Sequence, residues 1–289
     1  MRFVCFENDG AAKLGVRRGG DVVDLSVVAP ELPHGLLSLI KAGPEAMATA
    51  KAAAGAATEV LSFSELTLCV PIDDPPKILC VGRNYAAHAK EGGAEPPAYP
   101  DIFMRSRLSL VAHGAAIIRP KLSENLDYEC ELLVVIGRHA SKVNEERALE
   151  VIAGYSLFND ATLRDYQRRT TQWTVGKNFD GTGAFGPEMV TPDELPAGCV
   201  GLQIQTRLNG EVMQNANTAD MIFSVATTIS LLSQTMTLEP GDLIATGTPE
   251  GVGYARKPPV WMKGGDVVEV EVEGIGVLRN PIRDEASLD

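Results

Sequence analysis

Apolar residues in this chain follow two periods, two residues in some stretches and three to four in others, and the periods predict its elements. Short alternating or wholly apolar runs at residues 2–6, 22–25, 77–81 and 156–159 predict strands, and the alanine-rich run at 45–57 predicts a helix. Ile222, Val225, Ile229 and Leu232 recur at core spacing, so residues 219–235 predict one amphipathic helix with Asn217 or Thr218 as its cap. Residues 86–91, 145–152 and 160–167 also have helical character, and from Asp242 onward short strands alternate with glycine turns. Pro71, Pro75 and Pro76 frame Asp73 and Asp74 in a stiff connector. The boundary falls there, between a small N-terminal α/β unit (1–72) and a main domain (73–289), in a chain of α+β class.

Composition narrows the function. A chain of 289 residues that is 45% hydrophobic and 22% charged has enough apolar side chains for a substantial core. A net charge of -12 disfavours nucleic acid and anionic membrane surfaces as partners, since both attract basic patches. Five cysteines without a C-x-x-C pair imply neither a zinc site nor a disulfide framework. The N-terminus lacks the apolar core of a signal peptide, and no apolar run is long enough to span a membrane, so the expectation is a cytoplasmic protein.

Candidate chemistry begins at Asp127, Glu129 and Glu131, which alternate just before the apolar run 132–136. On a strand Glu129 and Glu131 would share a face, their α-carbons roughly 6.5 to 7 Å apart. Carboxylates that close repel unless a cation joins them, and hard oxygen donors suit Mg²⁺, Mn²⁺ or Ca²⁺. Residues 266–273 repeat the same alternation, where a half-buried strand with a solvated acidic face is the simpler reading. The pattern by itself therefore leaves both readings open.

Further candidates have the same two-sided character. His88 and Glu91 lie three residues apart on one helical face, as a general base and the carboxylate that orients it, or as an exposed pair with no task. Asp160, Arg164 and Gln167 at i, i+4 and i+7 would converge on one pocket from a helix, or Asp160 would cap that helix and pair with Arg164. Lys177 sits in a glycine-flanked segment where an ammonium could stabilise developing negative charge, or be a solvated loop lysine; the order of a Walker A loop is absent. Thr248 belongs to a run of hydroxyls and free N–H groups at 245–253, suited to a carboxylate but in isolation a turn. Residues 92–100, rich in Gly, Pro and Ala, read as a surface loop or a lid.

In order along the chain, Gly82-Arg83-Asn84-Tyr85 with His88 and Glu91, the acidic run 127–132, Asn159-Asp160, 176–180, 208–211, 221–223 and 246–253 together resemble the fumarylacetoacetate hydrolase family. The resemblance spans about residues 77–283. It implies a β-rich roll with a mixed sheet, usually dimeric, preceded by a small variable appendage. It implies that Glu129, Glu131 and Asp160 ligate one Mg²⁺ or Mn²⁺, that a His88–Glu91 dyad activates water, and that Lys177 is catalytic. Arg164, Gln167 and Thr248 would surround the 2-oxoacid end of the substrate, with Tyr85 and Arg105 as further contacts; Arg83, Arg105 and Arg107 are candidates for a distal carboxylate. The expected activity is metal-dependent hydrolysis of a C–C bond in an acylpyruvate of aromatic catabolism, such as fumarylpyruvate, to pyruvate and an acid. Oxaloacetate decarboxylation and 2-oxo-enedioate isomerisation pass through a related enolate and stay open. A non-catalytic 2-oxoacid-binding protein is the rival from another class.

Overall fold

Seven consecutive buried residues form the strand Cys130–Ile136, and all but Glu131 are apolar. Such a run needs cover on both faces. In the computed structural model, which describes residues 1–286, this strand lies inside a 12-stranded sheet. It pairs antiparallel with Ile152–Asp160 on one side and with Leu243–Ala245 on the other. Leu243–Ala245 runs parallel to Ile78–Gly82, which pairs with Asp101–Met104. In the opposite direction the sheet continues through Gly183–Val190 into Arg2–Asn8, Ala11–Arg18 and Asp21–Asp24. Hydrogen bonds of one sheet thus run across the connector at 71–76.

Alternate residues of the central strand serve two cores. Leu132 and Val134 join a cluster with Ile204, Val268 and Val270 of a second, five-stranded sheet and with Ile229 and Leu232 of the helix Val225–Thr235. Leu133 and Val135 join Phe158, Phe185 and Leu243 in another cluster, which also contains Phe3 and the helical residues Leu36, Leu39 and Ala50. The first 72 residues and the rest therefore share apolar packing as well as a sheet. In Val267–Val272 the valines at 268, 270 and 272 are buried, while Glu269 and Glu271 pair with Arg207 near the surface. That is the solvated acidic strand expected there.

Two expected helices differ. Residues 160–167 are not one helix: Asp160 ends the strand Ile152–Asp160, Thr162–Leu163 pairs with Leu126–Asp127, and only Arg164–Gln167 is helical. The cause is ladder pairing of Asp160 with Gly183, which a local period does not reveal. Residues 219–235 divide into a 3-10 turn, Thr218–Asp220, capped by Asn217, and the helix Val225–Thr235, capped by Ser224. Asn84 holds the intervening chain extended: its Oδ1 accepts from Phe223 N at 2.7 Å, its Nδ2 donates to Phe223 O at 3.0 Å, and its carbonyl accepts from Ile222 N at 2.8 Å.

Candidate active site

The antiparallel register that sets Cys130 opposite Asn159 also brings Glu129, Glu131 and Asp160 together at the ends of two neighbouring strands. Asn159 Oδ1 accepts from Glu129 N at 3.0 Å, and Glu129 O accepts from Asp160 N at 2.9 Å, so the two backbones are locked side by side. All three acids are buried, and each offers a carboxylate oxygen within 4.8 Å of the others. They line a cavity of about 320 Å³ together with His88, Lys177 and Thr248. That volume is at the small end for ligand sites.

Cations compensate this charge unevenly. Lys177 Nζ donates to Glu129 Oε2 at 2.6 Å, Asp160 Oδ2 at 2.6 Å and Asp160 O at 3.2 Å, which uses all three ammonium protons. Burial alone would lower the Lys177 pKa, but Asp160 and Glu129 outweigh it and raise it. Glu129 is the converse: burial raises it, yet Lys177, Arg164 and His88 bring it down to about 2. Arg164 donates Nε to Asp127 at 2.8 Å and Nη1 to Gln167 Oε1 at 3.0 Å, and its Nη2 lies 2.7 Å from Glu129 Oε1. Glu131 has no such partner, only the Gly247 N–H at 2.8 Å. Burial, then Asp160 and Glu129, push its pKa well above the usual carboxylate range.

This uneven charge tests whether a divalent ion fits. Three buried oxygen donors with no sulfur or imidazole among them suit a hard cation. One of the three is short of positive charge, and an ion shared by all three would supply it. The residues fit the group.

The dyad forms as its spacing predicts. His88 Nδ1 stands 2.9 Å from Glu91 Oε1 in the helix Ala86–Glu91, and Gly251 N donates to both Glu91 oxygens at 3.2 and 3.0 Å. A carboxylate accepting from Nδ1–H leaves Nε2 as the basic nitrogen. Gln167 lines the cavity, as does Thr248, whose Oγ1 accepts from Gln214 Nε2 at 2.8 Å. Gly92 and Ala94, in the Gly/Pro-rich loop, also border it.

Arg105 and Tyr85 do not take the substrate-contact positions expected of them. The Arg105 side chain is fully buried, with four of its five N–H donors bonded to Asp160, Ala161 O, Thr182 Oγ1 and Ser109 Oγ, and it does not line the cavity. Tyr85 is buried beside Glu131 and Cys130, outside the cavity wall, with its hydroxyl unpartnered. Of the distal-carboxylate candidates, Arg107 pairs with Asp74 at the exposed surface, whereas Arg83 does line the cavity, bonded to Asp101. Sequence reasoning missed Arg168, Trp173 and Tyr254, which also line it. Gly82 held a clue to Trp173, because a Cβ there would stand 2.1 Å from the indole, so only glycine permits the contact.

A profile of the fumarylacetoacetate (FAA) hydrolase C-terminal region matches residues 77–283. The chain belongs to the fumarylacetoacetate hydrolase family. Oxaloacetate tautomerase fahd2, mitochondrial, of Xenopus laevis is 38% identical over 288 residues, covering 98% of this chain and 90% of its own. A solved fumarylacetoacetate hydrolase from the psychrophile Exiguobacterium antarcticum is 37% identical, covering 99% of this chain and 100% of its own, with a TM-score of 0.86. A 5-carboxymethyl-2-hydroxymuconate delta-isomerase from Mycobacterium smegmatis is 30% identical with a TM-score of 0.77, over 99% and 100% of the two chains. The expected sheet-rich α+β fold is borne out by these structures. Among the described residues no helix is long and apolar enough to cross a membrane, and the mitochondrial relative lends no support to a cytoplasmic setting.

Proposed function

We propose that this chain is a divalent-metal-dependent enzyme that moves a proton at the carbon beside a 2-oxo group, interconverting the keto and enol forms of oxaloacetate. One observation carries the reading: a histidine oriented by Glu91 at 2.9 Å shares a cavity of about 320 Å³ with three clustered carboxylates. Similarity to an oxaloacetate tautomerase over 98% of the chain supports this choice of reaction.

Glu129, Glu131 and Asp160 would hold Mg²⁺ or Mn²⁺, which when bound supplies Lewis-acid polarisation of the 2-oxo oxygen and so acidifies the neighbouring C–H. His88 Nε2 takes that proton and returns it to carbon or oxygen, while Glu91 keeps the imidazole in one tautomer and stabilises its charged form. Lys177, fixed by Glu129 and Asp160, supplies positive charge toward the enolate oxygen. Gln167 and Thr248 offer hydrogen bonds to the substrate's 1-carboxylate. A homodimer, as the family resemblance implies, is part of the same proposal.

The same dyad favours a second reading, hydrolysis of an acylpyruvate, in which His88 deprotonates a water that attacks the distal carbonyl. The solved hydrolase at 37% identity supports it. Following the ultraviolet absorbance of enol-oxaloacetate with Mg²⁺ or Mn²⁺, alongside pyruvate release from fumarylpyruvate, maleylpyruvate and oxaloacetate, separates the two. Faster loss of the enol without pyruvate is the expected result. Pyruvate from an acylpyruvate with no effect on the enol would replace tautomerisation by hydrolysis, and inertness toward the whole panel would leave a binding protein.

A further inference from the structure

Four cationic side chains line the cavity: Arg83, Arg164, Arg168 and Lys177. Three are already committed to carboxylates. Arg83 pairs with Asp101, Arg164 with Asp127 and Glu129, and Lys177 with Glu129 and Asp160. Arg168 enters no salt bridge among the described residues. Its guanidinium instead lies over the Tyr254 ring, 4.3 Å from the centroid, and Arg164 lies over the same ring at 4.5 Å. The Tyr254 hydroxyl is held against Gly92, where an added Cβ would approach it to 2.7 Å. Tyr254 is thus a fixed platform that carries an uncompensated guanidinium at the rim of the site.

Across the cavity the three acids and Lys177 are buried, whereas Arg168 and Thr170 are exposed. The cavity therefore has a deep pole suited to a metal-chelating 2-oxoacid group and a rim pole with one spare positive charge. We infer that Arg168 receives the second carboxylate of a 2-oxo dicarboxylate and so sets the preference for dicarboxylic over monocarboxylic substrates. The inference rests on the function proposed above. A planar guanidinium stacked on a ring presents paired N–H donors that match a carboxylate, which a lysine in the same place does not.

The test is calorimetric binding to the Mn²⁺-loaded full chain, with two unreactive probes: oxalate, whose two adjacent carboxylates fill only the deep pole, and malate, which carries a further carboxylate beyond its chelating 2-hydroxyacid end. Arg168→Met should weaken malate by about 10- to 100-fold and change oxalate by no more than about twofold, the scale of one lost charge-assisted hydrogen bond. Arg168→Lys should recover part of the malate affinity. Arg169→Met is the control, since Arg169 stacks on Tyr166 and carries the same charge one residue away without lining the cavity; it should leave both probes unchanged. Equal weakening of both probes, an unchanged malate affinity in Arg168→Met, or an equal malate loss in Arg169→Met would overturn the assignment. Failure of the wild-type protein to bind either probe would overturn the proposed function itself, and this inference with it.

Discussion

Replacing Arg105 by methionine tests whether this arginine holds the acid cluster together. The substitution keeps most of the side-chain volume and removes the charge. Arg105 donates to Asp160 Oδ1, to Thr182 Oγ1 at 2.8 Å, to Ser109 Oγ at 3.1 Å and to Ala161 O at 3.2 Å, and its guanidinium lies 5.5 Å from the centroid of the Phe158 ring. Both hydroxyls keep other bonds, Thr182 to Phe179 O and Ser109 to Ser106 O, so their loss is minor. Asp160 is the sensitive partner: it is fully buried and would face Lys177 alone. Removing one member of a buried ion pair costs about 3–5 kcal/mol. Against a typical stability of about 5–15 kcal/mol that is a large fraction. Equilibrium urea unfolding, read by tryptophan fluorescence, should show this deficit in EDTA. In saturating Mn²⁺ the deficit should shrink, because the lost guanidinium and the cation repel each other and the variant gains more from binding. A deficit below about 1 kcal/mol in EDTA, accompanied by a raised substrate KM, would refute the reasoning and return Arg105 to the substrate.

Three further outcomes are expected. His88→Ala should lower turnover by about 10²- to 10⁴-fold while Mn²⁺ affinity stays unchanged, and retained activity would remove the proposed base. Glu131 has its folded pKa raised above the unfolded value, so the metal-free folded state holds a proton that the unfolded chain releases. That contribution to stability is present below the ordinary carboxylate range and is lost as pH rises through the folded pKa. Metal binding must displace the same proton, so affinity should rise with pH and calorimetric heats should vary with the buffer's ionisation enthalpy, an effect that Glu131→Gln abolishes; buffer-independent heats would mean that Glu131 is already ionised. Gly82→Ala should push Trp173 off the cavity wall, where the new Cβ would stand 2.1 Å from the ring, at a cost of about 1–3 kcal/mol. An unshifted indole emission spectrum would show that no such contact exists.

The two acidic alternations explain what the sequence did and did not disclose. Around 129–131 and 266–273 the local pattern is the same, yet Glu129 and Glu131 are buried whereas Glu269 and Glu271 reach solvent. What distinguishes them is the flanking run: residues 132–136 are apolar without alternation, which marks a strand covered on both faces and draws its leading acids inside. The His88–Glu91 pair was legible because a helix places i and i+3 together whatever surrounds it. Asp160 reached the cluster by another route, since a strand register with Gly183 and the neighbouring Glu129 overrode its helical spacing. Arg105 and Tyr85 have the same origin: which face of a short segment is buried depends on partners far away in sequence. Asn84 likewise extends residues 222–223 through long-range bonds, against a helical period that continues through them.

Similarity to a tautomerase, a hydrolase and an isomerase becomes coherent once the cavity is divided by what supports each part. Glu129, Glu131 and Asp160 stand at the ends of central strands, and Lys177 is locked onto Glu129 and Asp160, so none can shift without disturbing the sheet. In the proposed mechanism these are the groups that would form and stabilise an enolate, a step that all three reactions can share. Arg168, Thr170, Gly92 and Ala94 sit instead on a short helix end and on loops, where substitution costs little packing. Differences in the group attached to the 2-oxoacid would be met at this rim. On the proposed reading the deep pole would restrict the chemistry to 2-oxoacids, and the charge carried by Arg168 would decide which of them fits this chain.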